Sequence, residues 1–522
     1  MKNRGNSPLT IDAPVGGLNL ISAPNRMPTT QARELTNYLC TDAGIEEFGT
    51  ILTTTIGAST AGLALTSYAN SSGAATVLWS SEVGGVYRLY TSTEPIGTPG
   101  VETAYGAGAQ IVVNAGACKY PAHYGGYVYF TSETNATIRF DPYATQADLA
   151  AWAPVSGTLL AGTGYKNRFY AISDPNATGL DRFTYHYSAL LAITGAMTPV
   201  SLAGVVQGTG RLQGISNWTF NPGSANDEYL VIGTSSNEVL IYSGTDPGAA
   251  NWGIVAKIRV PALVGEQPFI QVGADLLCHT TRGVVSLSSL LAGRGLASSY
   301  VTLTRSIKDQ IGTTRPHFWR DRAVLVCATT DRLGLLAQNI ETGAWSTIRP
   351  RNAPGATAIV AITNYVSLSA SFLYGILSTG EIVRFKDSLT QGQEIAIWKT
   401  PFIGASGQNQ RINKVKIQAI GRREDVGVPI PQLQASASIE TYDAKGIFPN
   451  VATPSNYDFN AVAISSTSVE NPTIVELNLN VGATADEWSL VAWNTPTTAS
   501  GGATKQTIFG AIVWVEDTGS IE

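Results

Sequence analysis

One repeated phrase limits what this chain can fold into: a short apolar strand, a tight polar turn and a second short strand. It reads as Thr76–Trp79 with Val86–Tyr90, Tyr127–Thr131 with Thr137–Phe140, and Arg168–Ile172 with Arg182–Tyr185. It continues as Tyr229–Thr234 with Glu238–Ser243, Asp275–Thr280 with Val284–Leu287, Ala323–Ala328 with Leu333–Asn339, and Phe372–Leu377 with Glu381–Phe385. β-Branched and aromatic residues fill the strands, and Gly, Asn, Asp, Ser and Thr fill the turns, which is the hairpin signature. The turns, marked by Val83, Thr134, Asn176, Ser236, Thr281, Asp331 and Thr379, lie about 42–60 residues apart. Propeller blades repeat at roughly 40–50 residues. One small sheet cannot bury both faces, but a ring of sheets buries them between neighbours and leaves only short edges. The pattern predicts an all-β chain with a β-propeller of six to eight blades. One or two β-sandwiches would also repeat short strands, but the sustained long period favours the propeller.

The period is lost after Phe385, and the segment Gln391–Pro401 reads as the exit from the last blade. Alternating segments follow at Val415–Ala419, Gln434–Tyr442, Thr473–Val481, Trp488–Trp493 and Thr507–Val515. They predict a β-sandwich-like domain with Trp488, Trp493 and Trp514 in its core. Residues 1–15 read as an extended arm. Gln31–Leu39 is the best short-helix candidate, with Thr29 or Thr30 as cap and Leu35 and Leu39 one turn apart. The expected division is an arm with a short helix (1–50), a propeller (51–395) and a C-terminal domain (396–522).

Charged residues make up 14 % of the 522-residue chain and the net charge is −5. Globular proteins average about 25 % charge, so small polar residues and partner contacts must cover much of this surface. An acidic balance argues against a protein that grips DNA. It is compatible with DNA that slides past, since each neutralised phosphate would add affinity. Cys40, Cys118, Cys278 and Cys327 are scattered, and Cys278 and Cys327 sit in apolar strands as expected buried thiols. No apolar h-region follows Met1, and no apolar run approaches the roughly 18 residues of a membrane span. A soluble protein made in a cytoplasm is expected.

Enzymatic motifs are missing. His123, His186, His279 and His317 show no metal-ligand spacing. There is no GxSxG elbow, P-loop or GxGxxG after a strand. Ser243-Gly244-Thr245-Asp246-Pro247-Gly248 with Trp252 approximates an Asp-box, which is itself a structural turn. No catalytic residue, metal or cofactor is expected, although a glycosidase carboxylate pair would meet only in space. Lys414, Lys416, Arg422 and Arg423 form the densest basic cluster, either a solvated strand face or a contact to a partner or phosphate. The arm carries Leu18, Leu20, Ile21, Leu35 and Leu39 without a strand partner close in sequence. Burying one such side chain stabilises by roughly 1.5–3 kcal/mol. Gly16, Gly17, Leu18, Asn19, Leu20, Ile21, Pro24 and Asn37 are therefore expected to dock on the propeller or on a neighbouring subunit. The alternative is that the arm closes the subunit's own propeller.

Ala13-Pro14-Val15-Gly16-Gly17-Leu18-Asn19-Leu20-Ile21-Ser22-Ala23-Pro24, then Met27-Pro28, Leu35-Thr36-Asn37-Tyr38 and Gly44-Ile45-Glu46, resembles the opening of tail nozzle proteins (the tail tubular protein B family) of short-tailed bacteriophages. Glu46-Glu47-Phe48-Gly49 departs from the Arg-x-Gly common there. Asn339-Ile340-Glu341-Thr342-Gly343-Ala344-Trp345-Ser346 is similar to a blade-ending phrase of phage propeller proteins. Ile397–Pro401 through Lys414–Ile417 resembles their junction to the next domain. The resemblance implies a structural virion protein, assembled in the host cytoplasm as a homo-oligomeric ring, a hexamer, at the distal end of the tail. It implies an adaptor protein and tail fibres or spikes as partners, and double-stranded DNA in transit. The alternatives are a receptor- or glycan-binding propeller of a tail spike or adhesin, and, behind it, a glycan hydrolase.

Overall fold

In the computed structural model each of the seven repeated hairpins forms an antiparallel strand pair within a blade. The structure describes residues 7–23, 26–54, 59–69, 75–83, 86–93, 103–104, 119–131, 137–142, 146–148, 152–154, 157–173, 182–219, 228–292, 303–349, 358–366, 371–386, 396–404, 408–423, 435–442, 475–485, 487–494 and 504–520. The inner strands are Ser59–Ala69, Tyr120–Tyr124, Leu159–Tyr165, Leu212–Thr219, Phe269–Val272, His317–Trp319 and Ile359–Val366. They pack side by side in chain order, and the last lies against the first. Among the described residues this is a closed propeller of seven blades, numbered here by those strands.

Each gap between blades holds its own apolar cluster. Leu78, Val128 and Phe140 fill the gap between blades one and two. Phe169, Tyr129 and Trp152 fill the next, and Tyr170, Tyr185, Leu230 and Leu240 the one after. Strand alternation sends successive side chains to opposite faces, so each hairpin feeds both adjoining gaps.

The ring is closed by the N-terminal segment. β1 (Ser7–Asp12), β2 (Glu34–Thr36), β3 (Tyr38–Cys40), β4 (Ile45–Glu47) and β5 (Gly49–Thr54) precede the first blade. β5 is the outer strand of blade seven, pairing with Ile382–Lys386 from Gly49 opposite Lys386 to Thr54 opposite Ile382.

The helix expected over Gln31–Leu39 does not form. β2 and β3 occupy the segment, separated by Asn37 at φ 58°. The four-residue spacing of Leu35 and Leu39 suits a helical turn, but distant strands claim this backbone. Thr36 pairs in parallel with Thr347 of blade six, while Glu34, Leu35 and Thr36 pair with Lys399, Trp398 and Ile397. Tertiary pairing overrides a weak local preference.

The C-terminal strands are Gln408–Arg423, Ala435–Tyr442, Val475–Ala485, Glu487–Asn494 and Thr504–Ser520. Thr504–Ser520 pairs with β1, β4 and Gln408–Arg423, and Gln408–Arg423 pairs on with Val475–Ala485. Ala396–Lys399 joins β2 to Glu487–Asn494, so a continuous sheet runs from blade six into the C-terminal strands. The core is continuous too: Leu18, Leu35, Trp345, Trp398, Leu490 and Val513 belong to one cluster. Of the tryptophans expected in this core, Trp514 is half-buried, and the side chains of Trp488 and Trp493 lie outside the described residues. Trp398, from the strand beside β2, is fully buried there.

Candidate functional site

Three places merit a functional reading: the arm, the rim of blades three and four, and the propeller axis.

The arm is pinned to its own chain. Gly17 lies at φ 72°, where a β-carbon would meet the Trp345 carbonyl oxygen at 2.8 Å. Leu18 donates its N–H to that oxygen at 2.7 Å, and its side chain is buried. The Asn19 amide oxygen accepts from the N–H groups of Ile21 and Ser22, both at 3.0 Å, and its nitrogen donates to Gln31 Oε1 at 2.7 Å. Asn37 Oδ1 accepts from the Arg349 N–H at 2.7 Å, tying the turn between β2 and β3 to blade six. Gly16 N–H bonds the Thr30 carbonyl at 2.8 Å. Of the expected docking residues, Leu20 and Ile21 stay exposed, and Pro24 lies outside the described residues. Sequence reasoning missed Arg33. Its Nε donates to the Thr400 carbonyl at 2.9 Å, its Nη2 to Ser489 Oγ at 2.8 Å, and its guanidinium lies 4.3 Å from the Phe402 ring centre.

Lys414, Lys416, Arg422 and Arg423 all lie on the strand Gln408–Arg423. Their side chains lie outside the described residues. Lys414 and Lys416 stand opposite Trp514 and Ile512, whereas Val415 stands opposite the buried Val513.

On the rim, Leu190 and Leu191 at a turn of blade three are 59 % and 69 % exposed. Ile254 and Val255, on the outer strand Gly253–Arg259 of blade four, are 44 % and 57 % exposed. Arg168 links the two places. Its Nη1 donates to the Ser188 carbonyl at 2.8 Å, and its Nη2 pairs with Asp246 at 3.1 Å. The Leu191 N–H bonds the Asn167 carbonyl at 2.8 Å. The Asp-box-like segment is indeed a turn here. Asp246 Oδ1 accepts from the Gly248 N–H at 2.9 Å, and Trp252 stacks on Tyr242 with ring centres 5.3 Å apart.

The axis is crossed by side chains. Gln267, before the inner strand of blade five, donates from Nε2 to the Pro121 carbonyl of blade two at 3.0 Å. Arg315, before the inner strand of blade six, donates to Gln267 Oε1 at 3.2 Å and to the Phe269 carbonyl at 3.1 Å. Surrounding protein pulls the Arg315 pKa down to about 10, although the side chain stays exposed, and it remains charged at neutral pH. Crowding by protein lowers the pKa values of His123, which is exposed, and His317, which is half-buried, and the Arg315 charge lowers them further.

His186 and His279 are buried and held at about 4 by loss of solvent, with His186 Nδ1 2.9 Å from Ser173 Oγ. Cys278 and Cys327 are buried free thiols, as is Cys40, while Cys118 lies outside the described residues. Among the described residues no three His, Cys, Asp or Glu side chains gather to hold a metal ion, and no helix is long and apolar enough to cross a membrane.

No protein-family model matches the chain, and no curated protein matches it. Among solved structures, the chain is similar to YCF48 bound to a D1 peptide, at 10 % identity over 70 % of this chain and 100 % of that one, TM-score 0.42. It is similar to Saccharomyces cerevisiae Sqt1, at 11 % identity over 64 % of this chain and 98 % of that one, TM-score 0.41. The computationally designed Ika8 protein aligns at 10 % identity over 65 % of this chain and 99 % of that one, TM-score 0.36.

Proposed function

We propose that this propeller protein is a structural assembly component, the ring-forming nozzle of a short phage tail, and that it acts by binding and not by catalysis. The observation that carries the reading is the apolar rim of Leu190, Leu191, Ile254 and Val255 on adjacent blades. Large apolar side chains exposed on neighbouring blades are candidates for an interaction surface. A closing ring of identical copies needs such a lateral, heterologous contact.

Two further features support it. The arm welds propeller and C-terminal strands into one sheet, which suits a part that bears load. The propeller axis is bridged by Gln267, Pro121 and Arg315, so a duplex would pass between the copies of a ring and not through a propeller. The N-terminal resemblance supplies the tail context, with six copies, an adaptor and fibres or spikes as partners. Lys414, Lys416, Arg422 and Arg423 are contacts of secondary rank in this reading.

Native mass spectrometry of the full chain tests it. The expected result is a closed homo-oligomer that Val255→Glu or Leu191→Glu converts to folded monomers. An oligomer indifferent to both substitutions would contradict the rim's role. A wild-type chain monomeric at every concentration would favour the second reading, a receptor- or glycan-binding propeller.

A further inference from the structure

One face of the propeller carries a run of arginines. In an antiparallel blade, the turn between the second and third strands lies at the same end as the connection from the outer strand to the next blade. On blades four to six that end holds Arg211, Arg282, Arg315, Arg332 and Arg349. Arg211 pairs with Glu266 at 2.6 Å, and Arg349 pairs with Asp331 at 3.0 Å. Glu238, which starts the third strand of blade four, is buried and pairs with Lys257 at 3.2 Å. Arg282, Arg315 and Arg332 are exposed, and among the described residues none of the three has a carboxylate partner.

The patch is contiguous, with Thr313 at its centre. Arg332 Nη2 donates to Thr313 Oγ1 at 2.6 Å, and Arg315 follows two residues on. A β-carbon on Gly265, beside Glu266, would stand 3.7 Å from the Thr313 carbonyl oxygen. One on Gly283, beside Arg282, would stand 3.7 Å from Ile311 Cδ1, and Ile311 bridges to Thr329 at the turn of Asp331 and Arg332.

An excess of positive charge here stands out in a chain of net charge −5. A patch of one sign attracts and steers an oppositely charged partner. All five cations are arginine, which is enriched where proteins meet, whereas lysine is depleted there. The guanidinium fork takes a carboxylate through two parallel bonds. The acidic balance of the whole chain disfavours a nucleic acid as the occupant. Leu190 and Leu191, between the third and outer strands of blade three, and Ile254 and Val255, at the start of the outer strand of blade four, lie at the opposite end of the blades. The arginine face is therefore independent of the lateral contacts proposed above.

We propose that the arginine face of blades four to six docks an acidic, extended segment of a partner protein, its carboxylates paired with Arg282, Arg315 and Arg332. The three arginines stand on separate loops, which suits carboxylates spaced along one segment.

Fluorescence anisotropy of the full chain with a fluorescein-labelled peptide of alternating glutamate and glycine tests the proposal, with its glutamine counterpart and a labelled DNA duplex alongside. The expected result is saturable binding of the glutamate peptide and none of the glutamine peptide. Affinity should fall as salt rises from about 50 to about 300 mM, because exposed charges are screened. Arg282→Glu and Arg332→Glu are each expected to weaken binding about tenfold or more, since like charges across an interface repel. Arg320→Glu, at the other end of blade six, should leave it unchanged. No saturable binding of the glutamate peptide, undiminished binding by either Arg282→Glu or Arg332→Glu, or tighter binding of the duplex than of the peptide would overturn the proposal. The Arg282 side chain makes no hydrogen bond or ion pair among the described residues, so Arg282→Glu alone decides if Arg332→Glu fails to fold.

Discussion

Leu18 donates its backbone N–H to the carbonyl of Trp345, 2.7 Å away. That bond seats the N-terminal arm on the outer strand of blade six. With β2 beside it, the arm becomes the material between propeller and C-terminal strands. The consequence is testable at single residues.

Gly17→Ala is expected to destabilise the fold by about 1–3 kcal/mol, because it combines a left-handed backbone with a clash. The colliding atoms are backbone, including the Trp345 oxygen at 2.8 Å from the added carbon, so no side chain can swing away. Urea unfolding followed by tryptophan fluorescence reads the shift. A midpoint equal to wild type would mean the arm is not seated as described.

Arg33→Ala removes two hydrogen bonds and the stacking on Phe402. A loss of about 2 kcal/mol is expected, since hydrogen bonds to charged groups contribute about 1.5–3 kcal/mol each and part is recovered by solvent. Limited proteolysis should then cut first in the C-terminal strands. Unchanged protection there would argue against the clasp.

Deleting residues 1–24 removes β1, which pairs with Val515 through Gly510, and the buried Leu18. The truncated chain is expected to lose cooperative unfolding or to aggregate. A stable, folded monomer would instead support an arm that serves only contacts between subunits.

Stability should fall with acid in a defined window. His186 and His279 hold folded pKa values of about 4 because burial disfavours the charged ring. The unfolded chain, with ordinary values near 6.5, binds protons that the native chain refuses. Their cost is therefore absent above about pH 6.5 and grows as pH falls toward 4, to about 3 kcal/mol per residue. Urea midpoints measured from pH 8 to pH 4.5 should decline across that range. His186→Gln should flatten the slope even if it lowers the midpoint, and a slope identical to wild type would contradict the assignment.

The propeller was legible in the sequence because its information is local. Tyr229–Thr234 and Glu238–Ser243 need only Ser235, Ser236 and Asn237 between them, and alternation shows which faces are buried. The arm was not, because its partners are remote: Arg33 and Thr400 are 367 positions apart. Leu35 and Leu39 offered a helical spacing, and nothing nearby in sequence announced Thr347 or Trp398 as strand partners. The axial cluster was equally hidden. Pro121, Gln267 and Arg315 lie on three blades, and no motif links them. The Asp246 turn was readable, since an Asp two residues before a Gly N–H is a local device.

The central claim is that the chain builds a ring whose lumen, and not the propeller axis, is the passage. Electron cryomicroscopy of the purified full-length protein tests it most directly. The expected image is a closed ring of six copies with Leu190, Leu191, Ile254 and Val255 at the lateral contacts and every propeller axis still bridged by Gln267 and Pro121. Isolated monomers at all concentrations, or a ring whose contacts leave that rim in solvent, would contradict it.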